Sequence, residues 1–102
     1  MDKTHLLTPH RDKLDSINLQ IAQLLSERMR ICLEIAAIKA RENIPMMQPQ
    51  RIAVIQEKLA NQAEQLQLRP EYLARLFQLI IEETCAQEAR LIARQSSIAR
   101  TT

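Results

Sequence analysis

Hydrophobic residues recur every three or four positions along most of the chain, which is the spacing of helices that bury one face. The longest such run extends from Pro9 to about Glu42 without a residue that breaks a helix. Its apolar positions are Leu14, Ile17, Ile21, Leu24, Leu25, Ile31, Cys32, Ile35 and Ile38. Thr8 followed by Pro9 is typical of a helix start, since threonine caps the first turn and proline fits its first position. The pattern predicts a first helix over residues 9–42.

Two further prolines predict the starts of two more helices. Pro49 precedes an apolar row formed by Ile52, Ile55, Leu59 and Leu66, which predicts a helix over residues 49–67. Pro70 precedes a third row over residues 70–94, formed by Leu73, Phe77, Ile80, Ile81, Thr84, Cys85, Leu91 and Ile92. Residues 96–102 lack this spacing and are expected to be disordered. The sequence therefore predicts one all-α domain of three helices.

The first predicted helix is long for so small a chain. About 34 residues at roughly 1.5 Å each make a helix of about 50 Å. A compact domain of about 100 residues has a radius of gyration near 13 Å. Two shorter helices cannot cover so long an apolar face. We therefore predict an intertwined homodimer in which the long helices of two chains bury each other.

Composition excludes several classes of function. The 102 residues contain no glycine, so phosphate-binding loops, dinucleotide-binding turns and nucleophile elbows are absent. One tyrosine, one phenylalanine and a net charge of +2 argue against nucleic acid and membrane-surface partners. No leader or membrane span is visible, so a cytoplasmic location is expected. Cys32 and Cys85 are expected as reduced thiols, and His5 and His10 are not expected to bind a metal.

Three cations lie in phase with the apolar row of the first helix: Arg11, Arg28 and Lys39. A single cation on such a face usually extends to solvent. Three in phase, with no acidic run beside them, favour a small anionic ligand. Arg28 and Lys39 are roughly 16 Å apart along the helix, so their side chains can converge on one dianion. Arg11 of the partner subunit can complete this site in an antiparallel dimer, which predicts two composite sites per dimer.

Thr84 and Glu88 lie one turn apart on the third predicted helix, on the face that continues Phe77 and Ile81. They are either a polar flank of the core or a hydroxyl and a carboxyl group that face the same pocket.

Five short segments together resemble one family. They are Arg11–Asp15, Leu25–Arg28, Ile38–Lys39, Pro45–Arg51 and Leu76–Glu82. In register and without gaps, they resemble the all-α chorismate mutases over nearly the whole chain. The resemblance implies an intertwined three-helix dimer. It also implies a [3,3] rearrangement of a dianionic enolpyruvyl ether, with no covalent intermediate and no cofactor.

The resemblance also implies roles for individual residues. Arg28 and Arg11 of the partner subunit would bind the two substrate carboxylates, for which the forked guanidinium is suited. Lys39 would donate to the ether oxygen, where negative charge grows as the C–O bond breaks. Further substrate contacts are implied at Gln48, Arg51, Ile52 and Thr84.

Two positions depart from the usual family pattern. Ile52 stands where a glutamate usually accepts a hydrogen bond from the ring hydroxyl of chorismate, and isoleucine cannot accept one. Glu88 stands where a glutamine usually helps to bind the ether oxygen. A glutamic acid there would be catalytic only when protonated, which requires a raised pKa that Lys39 would oppose.

Both departures resemble the 4-amino-4-deoxychorismate mutases, as do Pro45–Arg51 and Cys85. Those enzymes act on a ring that carries an amine in place of the hydroxyl, so rearrangement of 4-amino-4-deoxychorismate is the first prediction. Plain chorismate mutase is the second. Isochorismate pyruvate lyase is the third, since its connection before the arginine is usually shorter. A helical dimerisation or interaction module is the non-enzymatic alternative, which leaves Arg28 and Lys39 without a role.

Overall fold

Three α-helices follow one another in the structure, a computed structural model that describes residues 2–45 and 49–101, with side chains up to residue 94. A short 3-10 turn, Thr4–Leu7, precedes α1 (Thr8–Arg41), α2 (Pro49–Ala63) and α3 (Pro70–Thr101). No strand occurs within these ranges, which confirms the all-α prediction of three helices. Among the described residues, none of the helices has an apolar stretch of the length that a membrane span requires.

The helical start differs in detail from the prediction. Thr8 has helical dihedral angles (φ −54°, ψ −47°), so it belongs to the helix and is not its cap. Asp2 lies before the preceding 3-10 turn, where its carboxylate accepts the Thr4 backbone N–H at 3.0 Å and the Thr4 hydroxyl at 2.8 Å. These two bonds, the backbone one first, hold the pKa of the Asp2 carboxyl below its ordinary value.

Helices α1 and α2 are both followed by a residue with left-handed backbone. Asn43 has φ 56° and Gln67 has φ 59°. After α1, the Ile44 N–H donates to the Lys39 carbonyl at 2.8 Å, and after α2, the Leu68 N–H donates to the Ala63 carbonyl at 3.0 Å. This six-residue closure is the Schellman arrangement, in which glycine usually occupies the left-handed position. In a chain without glycine, asparagine and glutamine take that position.

Two compact units are distinguished, residues 1–31 and residues 32–102, and their boundary falls inside α1. That the chain forms a single domain stays a prediction. In the second unit, α2 packs against α3. Its buried residues come from all three helices: Ala36, Ala63, Leu73 and Thr84.

The first unit carries the apolar row of α1 on its surface. Every described side chain from residue 2 to residue 27 is exposed. The large apolar ones are Leu6, Leu7, Leu14, Ile17, Leu19, Ile21, Leu24 and Leu25. Exposed apolar area of this extent marks an interaction surface.

Helix α3 is longer than predicted. It ends at Thr101, whereas the apolar spacing predicted an end near residue 94 and disorder over residues 96–102. Neither proline nor glycine follows Pro70, so no residue type in this stretch interrupts helical backbone. Thr102 lies outside the described residues.

Candidate active site

Lys39 occupies the last turn of α1, and its side chain is half-buried. A cation in this turn is favoured by the negative end of the helix dipole. Lys39 also has an interaction partner within the chain. Its backbone carbonyl, one of those left without a helical partner at the end of α1, accepts the Ile44 N–H. The last turn therefore holds a half-buried lysine whose backbone carbonyl is hydrogen-bonded.

The other two cations of the predicted site lie in the first unit and differ in exposure. Arg28 is half-buried and has an interaction partner within the chain, whereas all described side chains before it are exposed. Arg11 is exposed. An exposed Arg11 is available to a second molecule, as its predicted role requires, but that role stays a prediction.

On α3, Thr84 is 5% exposed and donates its hydroxyl to the Ile80 carbonyl at 2.8 Å. This bond to the preceding turn is a common way for a buried threonine in a helix to satisfy its hydroxyl group. Glu88 lies one turn further along and is half-buried, with an interaction partner within the chain. Both residues therefore lie on covered parts of α3.

The site residues predicted on and before α2 differ from one another in exposure. Ile52 is half-buried, and Arg51 beside it is exposed. Gln48 lies outside the described residues. The isoleucine presents only hydrocarbon where a carboxylate was expected from the usual family pattern, so this position offers no hydrogen-bond acceptor.

Four predicted site residues of the second unit are at least partly covered: Lys39, Ile52, Thr84 and Glu88. They combine one ammonium, one carboxyl and one hydroxyl group with an apolar side chain. Within the described ranges, no group of three His, Cys, Asp or Glu side chains is arranged to hold a metal ion. Cys32 and Cys85 carry free thiols and are half-buried.

Sequence reasoning missed the role of Asn43. The helix end was placed at about Glu42, but the left-handed residue that closes it was not identified. The available signal was an asparagine directly after the last turn, since asparagine is the residue that most readily replaces glycine at this position.

Comparison with known proteins identifies the class. Residues 10–89 match the chorismate mutase type II family. This match covers well over half of the chain, so the protein belongs to the chorismate mutase type II family. It confirms the resemblance that the five segments indicated.

The similar proteins in this family include enzymes of two different names, 4-amino-4-deoxychorismate mutase and bifunctional chorismate mutase/prephenate dehydratase. Over 83 residues the chain is 36% identical to the 4-amino-4-deoxychorismate mutase of Streptomyces pristinaespiralis, covering 81% of this chain and 64% of that protein. The 4-amino-4-deoxychorismate mutase of Streptomyces venezuelae is 30% identical, with 84% of each chain covered. The bifunctional chorismate mutase/prephenate dehydratase of Buchnera aphidicola subsp. Schizaphis graminum is 36% identical over 86 residues.

The chain spans 22% of the length of the Buchnera protein and 64% of the Streptomyces pristinaespiralis protein. The matched part of the bifunctional relative is therefore a fraction of that protein.

Proposed function

We propose that this protein is an isomerase that catalyses the [3,3] rearrangement of a chorismate-type enolpyruvyl ether. The observation that carries the proposal is the family match over residues 10–89, which contains every residue of the candidate site. The reaction is unimolecular and needs no cofactor. The task of the protein is then to hold a reactive conformer of the substrate and to stabilise the charge that develops as the ether bond breaks.

The proposed roles of the site residues follow from the charges of the side chains and of the substrate. Arg28 and Arg11 of the partner subunit each bind one carboxylate, because two guanidinium groups match a dianion in charge and geometry. Lys39 donates a single hydrogen bond to the ether oxygen, whose negative charge increases in the transition state. Glu88, in its protonated form, is a second donor to that oxygen. Arg51, Ile52, Thr84 and Gln48 complete the contacts with the substrate.

A homodimer is part of the proposal, because Arg11 acts across the subunit boundary. The exposed apolar row of α1 supports it, since α1 presents leucine and isoleucine side chains that a second α1 can cover. We propose that the two chains intertwine through their long helices, with two composite sites per dimer. No nucleic acid or membrane partner is invoked, and a cytoplasmic location is proposed.

For the substrate, we propose 4-amino-4-deoxychorismate, with 4-amino-4-deoxyprephenate as the product. Ile52 supports this choice, because it removes the usual acceptor for a ring hydroxyl. Two Streptomyces relatives bear the name of that mutase. The alternative is chorismate, with prephenate as the product, and the name and the 36% identity of the Buchnera relative support it.

A comparison of three substrates tests the proposal. Purified protein is incubated separately with 4-amino-4-deoxychorismate, chorismate and isochorismate, and the products are resolved by chromatography. We expect rearrangement of the first compound with the highest kcat/KM. A higher kcat/KM with chorismate would overturn the substrate assignment alone. No turnover of any of the three would overturn the enzymatic proposal and favour a helical interaction module.

A further inference from the structure

We infer that the backbone closure at Asn43 and Ile44 positions Lys39 for catalysis. The inference rests on the proposed function, in which Lys39 donates to the ether oxygen. The positioning residues act through Lys39 and do not touch the substrate themselves. The observation behind it is that the backbone N–H of Ile44 donates a hydrogen bond to the backbone carbonyl of Lys39.

The closure joins the loop to the turn that carries the lysine. The Glu42 N–H donates to the Ile38 carbonyl at 2.9 Å, and the Ile44 N–H donates to the Lys39 carbonyl at 2.8 Å. The final carbonyls of a helix have no partner within the helix, and its last turn frays when they remain unsatisfied. Two consecutive carbonyls at this end are satisfied. The turn that holds Lys39 is therefore closed, although it lies only two residues before the end of α1.

The position of Asn43 makes this closure possible. Its φ of 56° turns the chain back so that the next amide points toward the helix. Asparagine adopts this conformation more readily than most residues, and β-branched residues adopt it least readily. A valine at position 43 would oppose the left-handed backbone and release the Ile44 amide from the Lys39 carbonyl.

The Schellman closure at the end of α2 provides a matched control. Gln67 has φ 59°, and the Leu68 N–H closes onto the Ala63 carbonyl. No residue of the proposed site lies in the last turn of α2. The two closures share their geometry and differ in whether a catalytic side chain depends on them. A purely structural role predicts equal effects at both ends, and a positioning role predicts different ones.

The test measures kcat, KM and thermal stability for the full chain and for Asn43→Val, Asn43→Gly and Gln67→Val, with 4-amino-4-deoxychorismate and chorismate. Asn43→Val is expected to lower kcat on the order of fivefold to tenfold with KM changed less than about twofold, since Lys39 acts mainly in the transition state. Asn43→Gly keeps the closure and should retain kcat. Gln67→Val should lower stability while kcat remains at the wild-type value.

A double variant shows whether the effect passes through Lys39. In a Lys39→Gln background, Asn43→Val should lower kcat no further, because the group that it misplaces is already absent. An equal additional loss there would overturn the inference. Equal losses of kcat in Asn43→Val and Gln67→Val would overturn it too. If either valine variant does not fold, the pair Asn43→Ala and Gln67→Ala replaces it with the same expectations.

The outcomes separate this inference from the proposed function. If the wild-type protein turns over none of the substrates, the proposed function fails and the inference fails with it. If the wild type is active and Asn43→Val keeps its kcat, only the inference fails.

Discussion

At the scale of single residues, the proposed chemistry depends on charged and polar side chains in partly covered positions. Arg28, Lys39 and Glu88 are half-buried, and Thr84 is buried. A partly covered charge interacts more strongly with a ligand than a fully hydrated one, because the surrounding dielectric constant is lower. Each of these residues has an interaction partner in the lone chain, so the proposed substrate contacts would replace existing ones.

The role of Arg28 is tested by its removal. We expect Arg28→Ala to lower kcat/KM by roughly 10²- to 10³-fold, because a carboxylate of the substrate loses a charge-assisted contact. Steady-state kinetics measures this. The matched control is Arg30→Ala, since Arg30 is exposed and points to a different side of α1. A loss in Arg30→Ala as large as that in Arg28→Ala would contradict a specific role for Arg28.

The role of Glu88 is tested by pH. Only a protonated carboxyl group can donate to the ether oxygen, so activity should be present below the pKa of Glu88 and fall as pH rises through it. A profile of kcat from about pH 5 to about pH 9 measures this. Glu88→Gln, which donates at every pH, should remove the decline. A wild-type rate that is constant over this range would exclude Glu88 as the donor.

At the scale of elements, proline and left-handed residues define where helices begin and end. Pro49 and Pro70 each occupy the first position of a helix, and their positions predicted both starts. The ends were predicted less well. Helix α2 ends at Ala63, before the predicted residue 67, because the left-handed Gln67 redirects the backbone. Helix α3 continues past residue 94, because nothing in the sequence stops it.

The strain at Gln67 predicts a stabilising substitution. Gln67→Gly should raise the free energy of unfolding by about 0.5 to 1 kcal/mol, since glycine adopts a positive φ without steric cost. Urea denaturation measures the change. The control is Gln62→Gly within α2, which should destabilise by about 1 kcal/mol because glycine weakens a helix interior. If Gln67→Gly is as destabilising as this control, the left-handed residue is not under strain.

At the scale of the whole molecule, the central question is what covers the apolar row of α1. Its leucine and isoleucine side chains are exposed over residues 2–27 in the lone chain. Contact between these side chains of two copies would remove them from water, at about 25 cal/mol per Å² of apolar surface buried. The proposed site also needs the second copy, since it takes Arg11 from it.

The dimer is tested by placing a charge in this row. The wild-type protein should have the mass of two chains by light scattering after gel filtration. Ile17→Glu should yield monomers and reduce activity, because a carboxylate would be buried in the shared surface. Leu19→Glu is the control, since Leu19 is also exposed but lies nearly opposite Ile17, about 200° further around the helix. A monomeric wild-type protein would contradict the proposed composite site.

Much of this molecule is determined by local features of its sequence. The spacing of apolar residues and the positions of Pro9, Pro49 and Pro70 predicted three helices, since side chains three or four apart share one helix face and proline restricts the backbone where it stands. The candidate site residues were also named from the sequence, because a motif is a set of residue types at fixed spacings along the chain. Their placement within one site stays a prediction.

The tertiary structure decided which side chains are covered and how the helices end. Burial of Ala36 and Thr84, and exposure of Arg51, follow from how segments distant in sequence pack, which periodicity on one helix does not specify. The left-handed backbone at Asn43 and Gln67 is closed by local hydrogen bonds, but the structure shows at which residue each closure occurs. The apolar row on α1 is exposed to water in the lone chain, and its cover by a second copy stays a proposal, because one helix does not specify its own partner.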